Sequence, residues 1–318
     1  MGAKIVALGG GTGLSTMLRG LKNFTPNITA IVTVSDNGGG SGILREQMNM
    51  LPPGDIRNCL VALANTEPIM EKLLQYRFTE GVLSGQNFGN LLLAALSEIS
   101  GSFEKAVSVT GKVLAITGRV IPVTLEQVDL KGYFENKEVV IGEQQIVEYS
   151  KHTRQKLIDI TLCPPSPNPM PDAILAIEAA DAIILGPGSL YTSIIPNLLV
   201  NQIPETIRKA KGKVIYICNI MTQPGETIGF GAYEHIKELE RYLGEDVIDT
   251  VIINSQEVPE DWLKLYLEDG ANIIDFKDLK VKMSHINIVE TPVMKIYKDK
   301  KVIRHDPNKL AKVVMEQI

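Results

Sequence analysis

Four glycine-bearing segments hold the residues best suited to chemistry. The first is Gly9-Gly10-Gly11-Thr12-Gly13-Leu14-Ser15, directly after an apolar run at residues 4–8. The second is Ser35-Asp36-Asn37-Gly38-Gly39-Gly40-Ser41-Gly42, after a β-branched run at residues 28–34. The third, Gly186-Pro187-Gly188-Ser189-Leu190-Tyr191-Thr192-Ser193, follows residues 182–185, and the fourth, Asn219-Ile220-Met221-Thr222-Gln223-Pro224-Gly225-Glu226-Thr227, follows residues 214–218. Glycine lets a backbone approach an anion closely and adopt positive φ. Free N–H groups at a strand–turn–helix junction then attract phosphate. Each hydrogen bond to a charged group contributes roughly 1.5–3 kcal/mol, against roughly 0.3–1 kcal/mol for a helix dipole alone, so amides and hydroxyls dominate such a seat. The first segment also has the composition of a turn that serves packing only.

Neither standard nucleotide signature is complete. Gly9, Gly11 and Gly13 begin G-x-G-x-x-G, but no glycine closes it, and no Gly-Lys-Ser/Thr follows. Asp36 stands where a dinucleotide fold keeps its ribose-binding acid; a sugar hydroxyl, a divalent cation and an Asx turn with Asn37 and Gly38 are its three open roles. Pro52-Pro53-Gly54-Asp55-Ile56-Arg57-Asn58 sets an acid and an arginine in a rigid turn before a helix, where Asp55 is a ligand-binding group or simply a helix cap. Ser84-Gly85-Gln86-Asn87-Phe88-Gly89-Asn90 precedes an apolar helix from Leu91; it is an anion cradle, or Asn90 is simply an N-cap. Ser189 lies in G-P-G-S-L rather than G-x-S-x-G, and no histidine pairs with it, so no nucleophile triad is expected. Tyr191, Thr192 and Ser193 read as ligand hydroxyls, beside Asn219, Met221, Thr222 and Gln223 of the fourth segment.

Strand and helix patterns alternate around these segments. Residues 68–78, 91–99 and 102–114 have helical spacing. Residues 119–149 differ: two β-rich runs flank the turn Glu135-Asn136-Lys137 and predict an antiparallel hairpin. Prolines 164, 165, 167, 169 and 171 make a stiff connector. Strands at 182–185, 214–218 and 247–254 and helices at 234–243 and 260–268 follow. Short strands near Ile273, Ile286 and 295–303 precede a last helix at 308–318. This is an α/β chain: a Rossmann-like, doubly wound, mostly parallel sheet with a small antiparallel β insertion. In such sheets ligands bind outside the carboxyl ends of the strands, where all four segments fall.

The 318 residues are 44% hydrophobic and 22% charged, which suits a globular chain needing no disulfide staple. A formal charge of −5 argues against nucleic acid as main partner. Cys59, Cys163 and Cys218 form no C-x-x-C pair and the four histidines are scattered, so neither zinc nor haem is expected. No apolar run reaches membrane-spanning length. The start reads into a strand rather than a signal peptide, and Met1-Gly2 lacks the Ser or Thr that acylation needs at Val6.

Read together, the glycine run 9–15, the 36–42 segment, Pro52 to Asn58, the 186–193 segment and Asn219 to Thr227 resemble the bacterial YvcK family, the gluconeogenesis factors related to the CofD phospholactate transferases. The similarity extends to Val302-Ile303-Arg304-His305-Asp306. It implies a single CofD-like α/β domain over residues 1–318, with the hairpin insertion around residues 119–150, in a cytoplasmic protein. It implies a link to growth on gluconeogenic carbon and to cell shape, and a UDP-sugar such as UDP-N-acetylglucosamine as ligand, without established turnover. The implied UDP-sugar contacts fall on Tyr266 and Arg304, whose other roles are a half-buried helix aromatic and an ion pair with Asp306. The transferase branch implies magnesium, on Asp36 or Asp55, and phospholactyl transfer. Gly9 to Gly13 with Asp36 leave NAD as a third ligand. Protein partners and assembly, a homodimer included, stay open. Three departures stand out. Asn37 replaces a second acid, Asn87-Phe88-Gly89 lacks the usual histidine, and Pro307-Asn308 replaces a threonine phosphorylation site.

Overall fold

A computed structural model of the chain describes residues 2–318; the Met1 half of the acylation reading lies outside them. Seven parallel strands form the main sheet: β1 (Ile5–Gly9), β2 (Ile28–Val32), β3 (Arg119–Pro122), β7 (Ala182–Leu185), β8 (Lys213–Ile217), β9 (Thr250–Asn254) and β10 (Asn287–Thr291). Their order is β10-β9-β8-β7-β1-β2-β3. β1, β2 and β7 are buried throughout, because helices cover both faces and the β-branched runs need no polar side. Leu8 of β1 sits beside Ile31 of β2 and Leu185 of β7. The order reverses at β1, so the crevice of the sheet opens between the turns after β1 and β7.

Two antiparallel units flank the sheet. β4 (Asp129–Phe134) pairs with β5 (Val139–Ile141) and β6 (Leu157–Cys163), and the helix Glu143–Thr153 joins β5 to β6. β11 (Met294–Tyr297) and β12 (Val302–His305) form a hairpin. The predicted turn at 135–137 is the β4–β5 turn. Residues 119–122 differ from the expectation of an insertion starting near 119: they complete the main sheet beside β2. The inserted unit is a three-stranded sheet, because β6 pairs with β4 along its length. The strand expected near Ile273 is a single bridge to Met221, and the one near Ile286 is β10.

The small unit is fastened to the second glycine segment. Asn37 Nδ2 donates to Gln145 Oε1 at 2.7 Å, and Gln144 N–H donates to Asn37 Oδ1 at 3.1 Å. Arg45 pairs with Asp129 at 2.8 Å just beyond. An amide gives and receives in this geometry, which a carboxylate at 37 does not. No helix among the described residues is long and apolar enough to cross a membrane.

Candidate functional site

The first glycine segment lies inside a helix, not before it. The apolar residues after Ser15 predict a helix over about residues 15–21; the helix Gly11–Leu21 begins four residues earlier, with Gly10 as N-cap and Gly11 at φ +62°. A Cβ at Gly13 would overlap the Pro187 carbonyl, so glycine there lets the first and third segments touch. The Ser15 hydroxyl donates to the Thr12 carbonyl at 3.0 Å and is buried, and Leu14 is buried in the core. Gly9 belongs to β1. The segment therefore presents Gly11 to Gly13 outward above the buried Gly10, while Gly9, Leu14 and Ser15 shape it from behind.

Gly10 to Gly13 line a cleft of about 920 Å³. Asp36, Asp55, Pro187, Gly188, Ser189, Ser193, Asn219, Met221, Thr222, Gln223, Tyr266 and Arg304 line it as well. The sheet thus gathers 16 of the 26 expected residues around one space, from all four segments and the β11–β12 hairpin. Asn37 and Gly38 stand behind Asp36; the Gly38 N–H donates to Asp36 Oδ1 at 2.8 Å, so Asp36 makes its Asx turn and still faces the cleft.

Asp55 caps nothing. The N-cap of helix Gly54–Leu63 is Pro53, and the Asp55 carboxylate instead accepts from the Gly11 N–H. A Cβ on Gly10 would sit 2.6 Å from Asp55 Oδ2, so the first segment wraps an internal carboxylate. Burial, then repulsion from Asp36, pushes Asp55 up to about 7. Glu143, from the small unit, faces the same space and is raised by burial and by Asp36, Asp55 and Glu226. No local motif marks Glu143; the docking of Asn37 on the neighbouring Gln144 and Gln145 brings it in.

Other expected ligand groups are spent internally. Asn87, not Asn90, caps helix Phe88–Ser100, accepting from Asn90 N–H at 3.2 Å. Asn90 Oδ1 accepts from Arg57 at 3.0 Å, and neither asparagine lines the cleft. The Tyr191 side chain is buried and turned toward Glu238. The Thr192 hydroxyl donates to Glu226 Oε1 at 3.2 Å. Gly186, at φ +80°, forms the turn below the cleft. These side chains follow the helical face they occupy, which hydroxyl chemistry alone does not disclose.

Arg304 is exposed, with one N–H donated to the Ile303 carbonyl at 3.0 Å and no carboxylate partner among the described residues. The expected partner, Asp306, caps the helix Pro307–Met315 instead. Tyr266 packs against the small cluster of Ile220, Met221, Met294 and Ile303, and its hydroxyl accepts from Ile303 N–H at 2.7 Å. His305 lies beside them, nearly buried, its ring bonded to the Cys218 backbone; burial drives it down to about 4, so it is neutral. Lys151 and Lys301 add positive charge at the cleft. Two buried atoms of lining residues, Gln223 Oε1 and His305 Nε2, have no partner in the protein.

A model of the family described as 2-phospho-L-lactate transferase CofD matches residues 5–294. The chain is 52% identical to a protein of Thermoanaerobacterium thermosulfurigenes over 99% of this chain and 96% of that one. It is 45% identical to the gluconeogenesis factor of Bacillus subtilis, over 98% and 97% of the two chains. A crystal structure of a UPF0052 family member from Bacillus halodurans, 38% identical, superposes with a TM-score of 0.92 over 98% of this chain and 99% of that one. The strand order, the glycine segments and the match along nearly the whole length place this chain in the CofD family, among the gluconeogenesis factors.

Proposed function

We propose that the protein binds a nucleotide sugar of the UDP-N-acetylglucosamine type and acts as a regulator without turnover, in growth on gluconeogenic carbon and in cell shape. The observation that carries this reading is the convergence of Gly10 to Gly13, Gly188-Ser189, Asn219 to Gln223, Tyr266 and Arg304 on one cleft. Its volume falls in the usual range for small-ligand sites, roughly 300–1,000 Å³. Backbone amides and an unpaired guanidinium suit a diphosphate; Tyr266 offers an aromatic face for a base or sugar. The cleft hydroxyl of Ser189 accepts from Gln223 Nε2 and is bonded to the buried Glu226 carboxylate, which does not itself line the cleft.

A magnesium-dependent transferase is the second reading, favoured by the facing carboxylates Asp36 and Asp55 and the raised pKa of Asp55. A divalent cation relieves such repulsion, and two carboxylates plus substrate phosphates are a common magnesium set. Among the described residues no three His, Cys, Asp or Glu side chains form a metal cage, so the phosphate would complete the coordination. Bound there, the metal would stabilise charge on a leaving phosphate.

Calorimetric titration with UDP-N-acetylglucosamine, UDP and NAD, with magnesium and with EDTA, separates these readings. The regulator reading expects UDP-N-acetylglucosamine to bind more tightly than NAD, with no effect of EDTA. Protein-dependent products by mass spectrometry, or loss of binding in EDTA, would overturn it in favour of the transferase.

A further inference from the structure

Glu226 is a buried carboxylate with no ion-pair partner among the described residues. It lies in the fourth segment, yet its contacts are in the third. Tyr191 N–H donates to Oε2 and the Thr192 hydroxyl to Oε1, both at 3.2 Å. It therefore fills the start of the helical run that begins at Leu190, where free N–H groups favour a negative charge. Its neighbour Thr227, fully buried, accepts from Gln223 N–H at 2.9 Å. Gln223 Nε2 in turn donates to Ser189 Oγ at 2.6 Å, and Asn219 Nδ2 to the Gly188 carbonyl at 2.7 Å. Farther along the same run, Asn197 Nδ2 donates to the Ser193 carbonyl at 2.8 Å and the Gly9 carbonyl at 3.2 Å. One carboxylate thus joins the third and fourth segments, and Asn197, farther along the third, reaches the Gly9 carbonyl of the first.

We propose that Glu226 is a built-in acceptor that positions the ligand-binding wall: its carboxyl fills the seat at Tyr191 and Thr192 and fixes the third segment, on which Gln223 and Asn219 in turn bond to Ser189 and Gly188. The inference rests on the nucleotide-sugar reading for its ligand. It assigns the ligand phosphates to Gly10–Gly13 and Arg304, and leaves the third segment to contribute Pro187, Gly188, Ser189 and Ser193.

The test uses the full chain with Glu226→Ala and Glu226→Gln, titrated with UDP-N-acetylglucosamine and melted with and without formate. Glutamine keeps the shape and one acceptor, so it is expected to retain affinity within a few-fold. Alanine empties the seat, and a loss of about tenfold is expected. Formate is expected to restore binding to Glu226→Ala and to raise its melting temperature, but not that of the wild type. If Glu226→Ala does not fold, Glu226→Met, of similar volume, replaces it in the titration. Wild-type affinity in a folded Ala or Met variant overturns the proposal, as does failure of both to fold even in formate. If the wild type itself ignores UDP-N-acetylglucosamine, the ligand reading fails, and the formate-dependent melting of Glu226→Ala alone decides for or against the built-in acceptor.

Discussion

Arg304 and Tyr266 differ in what their loss should cost. Arg304 has no carboxylate partner, so Arg304→Ala should melt like the wild type while losing about 1.5–3 kcal/mol of UDP-N-acetylglucosamine affinity. Tyr266→Phe removes the acceptor of Ile303 N–H and should also lower stability, by about 1 kcal/mol. Calorimetry paired with urea unfolding separates the two effects; a destabilised Arg304→Ala would show that the guanidinium belongs to the fold. The carboxylates give a second prediction. Asp55 rises from 3.8 to about 7 and Glu226 from 4.5 to about 7 on folding. The folded chain therefore binds protons more tightly than the unfolded one between those limits. Stability from these groups is fully present below pH ~4 and is lost as pH rises to ~7, by at most about 1.4 kcal/mol per pH unit for each. Urea titrations from pH 5 to 8 should find Asp55→Asn with a shallower decline than the wild type. The identities of these residues did not announce this coupling equally. Asp55 stands in a rigid Pro-Pro-Gly turn and is visible from its neighbours. Glu226 and Glu143 have no such context, and only tertiary folding reveals what they face.

At the scale of elements, two glycines act as joints. Gly13 admits the third segment against the first helix; Gly20, on the same helix, lies against Pro307, where a Cβ would overlap the carbonyl. The helix Gly11–Leu21 and the helix Pro307–Met315 pack together there, three residues beyond Arg304. Gly20→Ala should force them apart, costing about 1–3 kcal/mol in urea unfolding. It should also weaken UDP-N-acetylglucosamine binding, although Gly20 does not line the cleft. Unchanged affinity would show that the hairpin moves independently of the first helix. The small antiparallel unit has its own joint in Asn37. Asn37→Ala breaks both bonds to helix Glu143–Thr153, and hydrogen exchange across residues 143–153 should accelerate while β1 and β7 stay protected. The parallel strands β1, β2, β7, β8 and β9 were readable as β-branched, apolar runs. The β6 strand, placed by pairing with β4 rather than by alternation, was not, nor was Arg119–Pro122 as part of the main sheet. Pairing between distant segments leaves little local trace, which is why the insertion read as a hairpin only.

At the scale of the molecule, the sheet is assembled from two halves of the sequence. β1, β2 and β3 come from the first half and β7 to β10 from the second, and they meet at the β1–β7 edge. The cleft straddles that seam, with Gly10 to Gly13 and Asp55 on one side and Gly188 to Gln223 on the other. This arrangement has a consequence in time. A ligand has nothing complete to hold until both halves have joined, so it acts late in folding and early in any escape from the native state. Ligand at about 100 times Kd should add roughly 2.7 kcal/mol, and if that energy is absent from the transition state it should slow unfolding by about 100-fold while refolding keeps its rate. Stopped-flow urea jumps with UDP-N-acetylglucosamine measure both limbs; an accelerated refolding limb would mean that the seam closes before the rest. If the proposed nucleotide sugar binds here, it would work as a clasp between two halves of a chain, and its withdrawal would set how long the folded molecule lasts.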